Sequence, residues 1–146
     1  MQATQECVVR LNSLLRGELA ATETYQQAME KLKDDPAIGQ LRPMHVEHRE
    51  AANTLRQHVH GCGGKPDQGS GAWGTWAKLV EGTAKAFGRK AALKALKEGE
   101  EHGVKEYEAA LKGDALPAEY RTLVQSKLLP QTRNHIAAID RLMDAQ

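Results

Sequence analysis

The chain has 146 residues, enough for one domain with a core of its own, and residues 1–146 read as a single domain. Its net charge is +1, with 20 basic and 19 acidic residues interspersed, which argues against a nucleic-acid, membrane-surface or acidic partner. Aromatic residues make up only 4%, Val and Ile are sparse, and Ala, Leu, Glu, Lys, Gln and Arg dominate, so composition favours an all-helical protein.

No apolar run reaches the roughly eighteen residues of a membrane span. Met1 to Glu6 lacks the basic and apolar regions of a signal peptide. A cytoplasmic location is the expectation. Two cysteines, Cys7 and Cys62, do not make a disulfide framework, and free thiols are expected.

Thr4 can cap a first helix that Val8, Leu11, Leu15, Ala21, Ala28, Met29 and Leu32 carry to about Lys33. Asp34-Asp35-Pro36 reads as a turn, an N-cap and a first-position proline. A second helix then runs to about His60, with Ile38, Leu41, His45, His48, Ala52, Leu55 and Val59 on its inner stripe and Gly61 as its stop. The glycine-rich stretch 61–71 is a loop. Trp73, Trp76, Val80 and Phe87 mark a short amphipathic helix over 72–87, inside a long crossover. A third helix covers about Arg89 to Lys112. A fourth starts at Leu116-Pro117 and runs to about Met143, with Pro130 well inside it.

Two motifs occur twice. Leu11, Leu14, Gly17, Glu18, Tyr25 and Ala28 match Leu93, Leu96, Gly99, Glu100, Tyr107 and Ala110 at one constant offset. Leu41, Pro43, His48, Ala51 and Leu55 match Leu128, Pro130, His135, Ala138 and Leu142 with identical spacing. The chain is therefore internally duplicated, and a kink shared by Pro43 and Pro130 is expected. Glu18 and Glu100 stand on otherwise apolar helix faces, a costly place for a carboxylate unless a cation or hydrogen-bond donor meets it. Each half then supplies a histidine on its second helix. Antiparallel packing of the two helical hairpins brings Glu18, His48, Glu100 and His135 to one level. Short connections after helices one and three, with one long crossover, define an antiparallel four-helix bundle.

From about Thr4 to Met143 this arrangement resembles the ferritin-like superfamily, and within it a family of uncharacterised bacterial bundles of similar size. Ferritin-like di-iron proteins use a lone glutamate from each of two helices and a Glu-x-x-His motif from each of the others. Glu18 and Glu100 match the lone glutamates, and His48 and His135 match the histidines. The bridging glutamates fall where this chain has His45 and Thr132. The resemblance implies the fold; it does not carry over ferroxidase, oxygenase or peroxide-reducing activity.

Two carboxylates and two imidazoles suit a divalent metal, iron or zinc among them. The expected ligands are Glu18, His48, Glu100 and His135, with His45 one turn before His48 as an accessory. Tyr25 and Tyr107 lie two turns from the glutamates and offer hydroxyls to the opposite half, and Thr132 joins them around the ligands. Gly17, Gly99 and Gly103 interrupt strong helices, for close helix approach or for solvent. Two readings follow. One is a metal-binding bundle, redox or stress related with iron and structural with zinc, with no catalytic residue assigned. The other is a metal-free structural or interaction bundle in which the Glu and His groups only fix packing. A homodimer is the expected assembly. The lysine series on helix three and the His58, His60 and Cys62 group read as solvated surface.

Overall fold

The computed structural model describes residues 2–69 and 88–145. The expected crossover helix over 72–87, with both tryptophans, lies outside the described residues. Among them, every regular element is helical: α1 (Gln2–Lys31), α2 (Ile38–Gly61), α3 (Arg89–Lys112), α4 (Ala118–Leu123), a π-helical turn (Val124–Leu128) and α5 (Leu129–Asp144). The last three run end to end as one fourth helical stretch. None of the described helices is long and apolar enough to cross a membrane.

The helix ends follow local chemistry. α1 is already helical at Gln2, ahead of the expected cap at Thr4. The Asp35 side chain accepts the Ala37 N–H at 2.8 Å ahead of α2, and Arg89 at the start of α3 pairs with Asp35 at 2.8 Å. After α2 the chain closes in a Schellman arrangement. The Gly64 N–H reaches the Val59 carbonyl at 3.0 Å, the Gly63 N–H reaches His60 at 2.9 Å, and Gly63 takes a φ of 80° that suits glycine. Arg121 donates to the Gly113 carbonyl at 2.9 Å, just beyond the end of α3.

The two prolines behave differently. Pro43 sits within continuous α-helix, whereas Pro130 is the second residue after the π-helical turn. Proline removes an N–H and crowds the carbonyl four residues back, and a widened turn, here with the Leu129 N–H bonded to the Val124 carbonyl, relieves that crowding. The π-helical turn thus occurs in the second half only, and Pro43 has no such turn before it.

α1 packs on α2, α3 on α5, and α1 on α3. Their apolar faces make two clusters. One gathers Leu11, Leu15, Leu55, Val59, Tyr107, Leu116, Tyr120 and Leu128, and the other gathers Tyr25, Leu32, Leu41, Met44, Leu93, Leu96, Ile139 and Leu142. Each fully buried Leu or Ile contributes about 1.5–3 kcal/mol. The duplicated Glu and His residues lie between these clusters.

The cysteines depart from expectation. Cys7 and Cys62 form a disulfide, and neither is a free thiol. The end of α2 lies beside the start of α1, which no spacing in the sequence announces. The loop after α2 is fastened there as well. Asn12 donates to the Lys65 carbonyl at 3.0 Å and accepts the Asp67 N–H at 2.9 Å, and Arg16 pairs with Asp67.

Candidate metal centre

Glu18 on α1, His48 on α2, Glu100 on α3 and His135 on α5 are each at most 6% exposed, and they meet in the space between the two clusters. His48 Nδ1 lies 2.7 Å from Glu18 Oε2, and His48 Nε2 lies 2.8 Å from Glu100 Oε2. The same Glu100 oxygen lies 3.0 Å from His135 Nδ1. The two imidazole rings sit 4.8 Å apart between centroids.

The tyrosines cross between halves. Tyr107 on α3 donates to Glu18 Oε1 at 2.7 Å, and Tyr25 on α1 donates to Glu100 Oε2. Both tyrosines are almost fully buried, so each hydroxyl requires a partner, and each finds the other half's glutamate. Heptad spacing from Glu18 to Tyr25 and from Glu100 to Tyr107 puts each pair on one helix face.

Glu47, which neither repeated motif includes, completes the chain of contacts. Its Oε1 lies 2.6 Å from His135 Nε2, with its side chain 43% exposed. An alternating row results: Tyr107, Glu18, His48, Glu100, His135, Glu47. The signal lay in the buried face of α2. That face is built on Leu41, Met44, His48, Ala51, Ala52, Leu55 and Val59, so it is turned toward Met44 and Ala51 relative to the expected stripe. Glu47 borders it, one turn from each of those two residues.

The same turn displaces His45. It is only half-buried, its Nε2 has no hydrogen-bond partner, and it stands near the Thr22 backbone rather than with the converging groups. Burial, then Arg49 and His48, hold its pKa below the usual histidine value. Thr132 is buried, but its hydroxyl donates to the Leu128 carbonyl at 2.8 Å, one turn back in its own helix.

The electrostatics follow the contacts. Burial alone would lower the His48 pKa, but Glu100 and Glu18 outweigh it and hold it well above the usual value. Burial likewise works against His135, and Glu100 raises it on balance. Burial would raise the Glu100 carboxyl; His48 and then His135 bring it down to about 2. Burial opposes ionisation of Glu47, and its bond to His135 tips it below the usual value. Burial and Glu100 push the Tyr25 hydroxyl well up, and burial and Glu18 do the same to Tyr107. Each imidazole has a carboxylate oxygen at both nitrogens, so the imidazolium form donates at both edges.

One set of donors can also hold an ion. One ligand atom each from His48, Glu100 and His135 lie within 4.8 Å of one another, and all three residues are buried. A tetrahedral ion with bonds near 2.0–2.1 Å needs donors roughly 3.3 Å apart; the two edges at Glu100 stand at 2.8 and 3.0 Å, and the edge between the histidines lies within 4.8 Å, so holding an ion draws the two inner nitrogens to that spacing around the Glu100 oxygen. Among the described residues Glu100 is the carboxylate that contacts both imidazoles, while Glu18 meets His48 alone and Glu47 meets His135 alone. Beside the cluster is a cavity of about 30 Å³ lined by Gly17, Glu18, His48, Gly99, Glu100 and Tyr107, among others. A second, of about 20 Å³, borders Gly17, Tyr25, Gly99 and Glu100. Gly17 and Gly99 therefore line both spaces, while Gly103 meets the Thr132 methyl in ordinary packing distance, 3.5 Å from where a Cβ would sit.

No curated protein and no solved structure matches the chain. A family model described as a domain of unknown function, DUF2383, matches residues 6–113, a span that includes Glu18, Tyr25, His48, Glu100 and Tyr107 and stops before His135. As this match covers well over half of the 146 residues, the chain belongs to the DUF2383 family.

Proposed function

We propose that this protein is a ferritin-like, antiparallel four-helix bundle that binds a divalent metal ion, iron or zinc, in its core. The convergence of His48, Glu100 and His135 within 4.8 Å, fully inside the protein, is the observation that supports it. Histidine and carboxylate donors together suit zinc and ferrous iron and disfavour calcium or magnesium, which prefer oxygen alone. When bound, zinc supplies a structural or Lewis-acid centre, and iron adds redox chemistry. Elemental analysis of protein purified without a metal-affinity tag tests the proposal. Near-stoichiometric metal that disappears in Glu100→Ala and His135→Ala variants supports it; metal-free protein overturns it.

A second reading rests on the same contacts. The histidines and glutamates already satisfy one another, so they can serve as a metal-free polar core that fixes helix register. This reading predicts a folded variant with unchanged assembly after apolar replacement of all four groups.

A further inference from the structure

We propose, resting on the metal-binding reading, that a single ion is held by three residues, His48, Glu100 and His135. Glu18 and Glu47 stay off the metal as positioning residues, each holding the outer nitrogen of one histidine.

The two histidines share one pattern. His48 turns Nε2 to Glu100 and Nδ1 to Glu18, while His135 turns Nδ1 to Glu100 and Nε2 to Glu47. A neutral histidine that binds metal through one nitrogen carries its proton on the other, and a carboxylate there fixes both tautomer and ring orientation. Both outer carboxylates are already in that place. Loading an ion then acts at the inner edge, where Glu100 Oε2 meets both rings and the Tyr25 hydroxyl.

Glu18 has other commitments as well. Its Oε1 accepts from Tyr107 and its Oε2 meets His48. Its two oxygens are thus divided between Tyr107 and the outer nitrogen of His48, whereas Glu100 meets Tyr25, His48 and His135 with the single oxygen Oε2 that stands between the two rings. The internal repeat hides this distinction. Glu18 and Glu100 occupy equivalent sequence positions, yet only Glu100 touches both histidines. Glu47 adds a second asymmetry, since its counterpart in the second half is the exposed Asn134.

The geometry also sets the number of ions. A second metal needs a further bridging carboxylate, and no other carboxylate among the described residues contacts both rings. Three protein ligands of the His, His, Glu type are the set with which zinc keeps an exchangeable position, and two histidines with one carboxylate also suit ferrous iron. The cavity of about 30 Å³ beside the cluster offers space for one water-sized guest at such a position.

Cobalt(II) titration tests the assignment, since its visible spectrum reports ligand number and its stoichiometry reports ion count. The expected result is one cobalt per chain, with a band perturbed by added azide. Glu18→Gln and Glu47→Gln retain one cobalt and bind about 10- to 100-fold more weakly. Glu100→Gln, His48→Ala and His135→Ala lose tight binding altogether. Glu18→Gln keeps the side-chain shape and circular dichroism controls for folding. If Glu18→Gln abolishes binding as fully as Glu100→Gln, or if two cobalt ions bind, the three-ligand assignment fails while the metal-binding reading stands. If the wild-type chain takes up no cobalt, zinc or ferrous iron, that reading fails and the assignment with it.

Discussion

Tyr107 donates its hydroxyl to Glu18 at 2.7 Å, from the second half of the repeat to the first. Glu18 Oε1 gains its hydrogen bond only from across the seam, so the halves depend on each other at their most polar point. Tyr107→Phe is expected to leave that buried oxygen bare and to cost about 1–3 kcal/mol. Tyr25→Phe is expected to cost less, because the Glu100 oxygen keeps both histidines. Urea unfolding of the two variants checks the order, and equal losses would contradict it.

The metal-free protein is expected to be most stable between about pH 4.5 and 6.5. His48 has a folded pKa raised above its unfolded value by its carboxylates, so its contribution is complete below about 6.5 and is lost as pH rises through the folded value. Glu100 has the opposite sign. Its folded value of about 2 lies below the ordinary 4.5, so its contribution is present above about 4.5 and is lost as pH falls toward 2. Thermal melts in chelator from pH 3 to pH 9 measure both limbs. A flat profile from pH 6 to pH 9 would show that the histidines are neutral in the folded chain.

Removal of one member should harm the fold more than removal of all. Glu100→Ala leaves the inner nitrogen of each imidazole and the buried Tyr25 hydroxyl without a partner and is expected to cost about 3–5 kcal/mol in metal-free protein. Joint replacement of Glu18, His48, Glu100 and His135 by leucine or methionine is expected to be near neutral, since buried ionic networks often give way to apolar packing without loss. Equilibrium unfolding compares the two. A quadruple variant less stable than Glu100→Ala would mean that the network contributes more than its own desolvation removes.

Much of this arrangement was legible in the sequence, and the misses have specific causes. The helical composition, the four long helical stretches and the glutamate–tyrosine heptads are local, periodic properties, and periodicity survives in one dimension. The expected partners of Tyr25 and Tyr107 in the opposite half follow from the same duplication. His45 and Glu47 border one helix face on opposite sides, and a small turn of that face decides which one meets the site. Residue spacing does not resolve such a turn; the packing of Met44 and Ala51 does. The Cys7–Cys62 bond joins residues 55 apart and becomes visible only once α2 returns to the start of α1. The π-helical turn before Pro130 has no counterpart at Pro43, because the two prolines in equivalent places sit at different depths in their helical stretches.

The disulfide is expected to matter for stability. It closes a span of 55 residues, and the loss of such a link typically costs about 2–4 kcal/mol through a less restricted unfolded chain. Cys7→Ser with Cys62→Ser, or reduction by dithiothreitol, should lower the denaturant midpoint with the helical signal retained. Alkylation with mass spectrometry before and after reduction counts the thiols. Two alkylated cysteines in unreduced protein would contradict the pairing.

Gly64 marks the tightest backbone approach beside that link. A Cβ there would stand 2.5 Å from both Val8 methyl carbons and 3.1 Å from the Val8 Cβ. Val8 is branched at that carbon and half-buried on α1, so it has no flexible tip to swing aside. Gly64→Ala is therefore expected to cost on the order of 1–3 kcal/mol by overpacking. Val8→Ala in the same chain removes the colliding methyls and should restore most of that loss. Gly69→Ala, where a Cβ meets nothing within 4 Å, serves as the control for glycine replacement in this loop. A double-mutant cycle from urea unfolding isolates the coupling between positions 8 and 64. A coupling near zero would place the loop after α2 farther from α1 than the Asn12 and Arg16 contacts require.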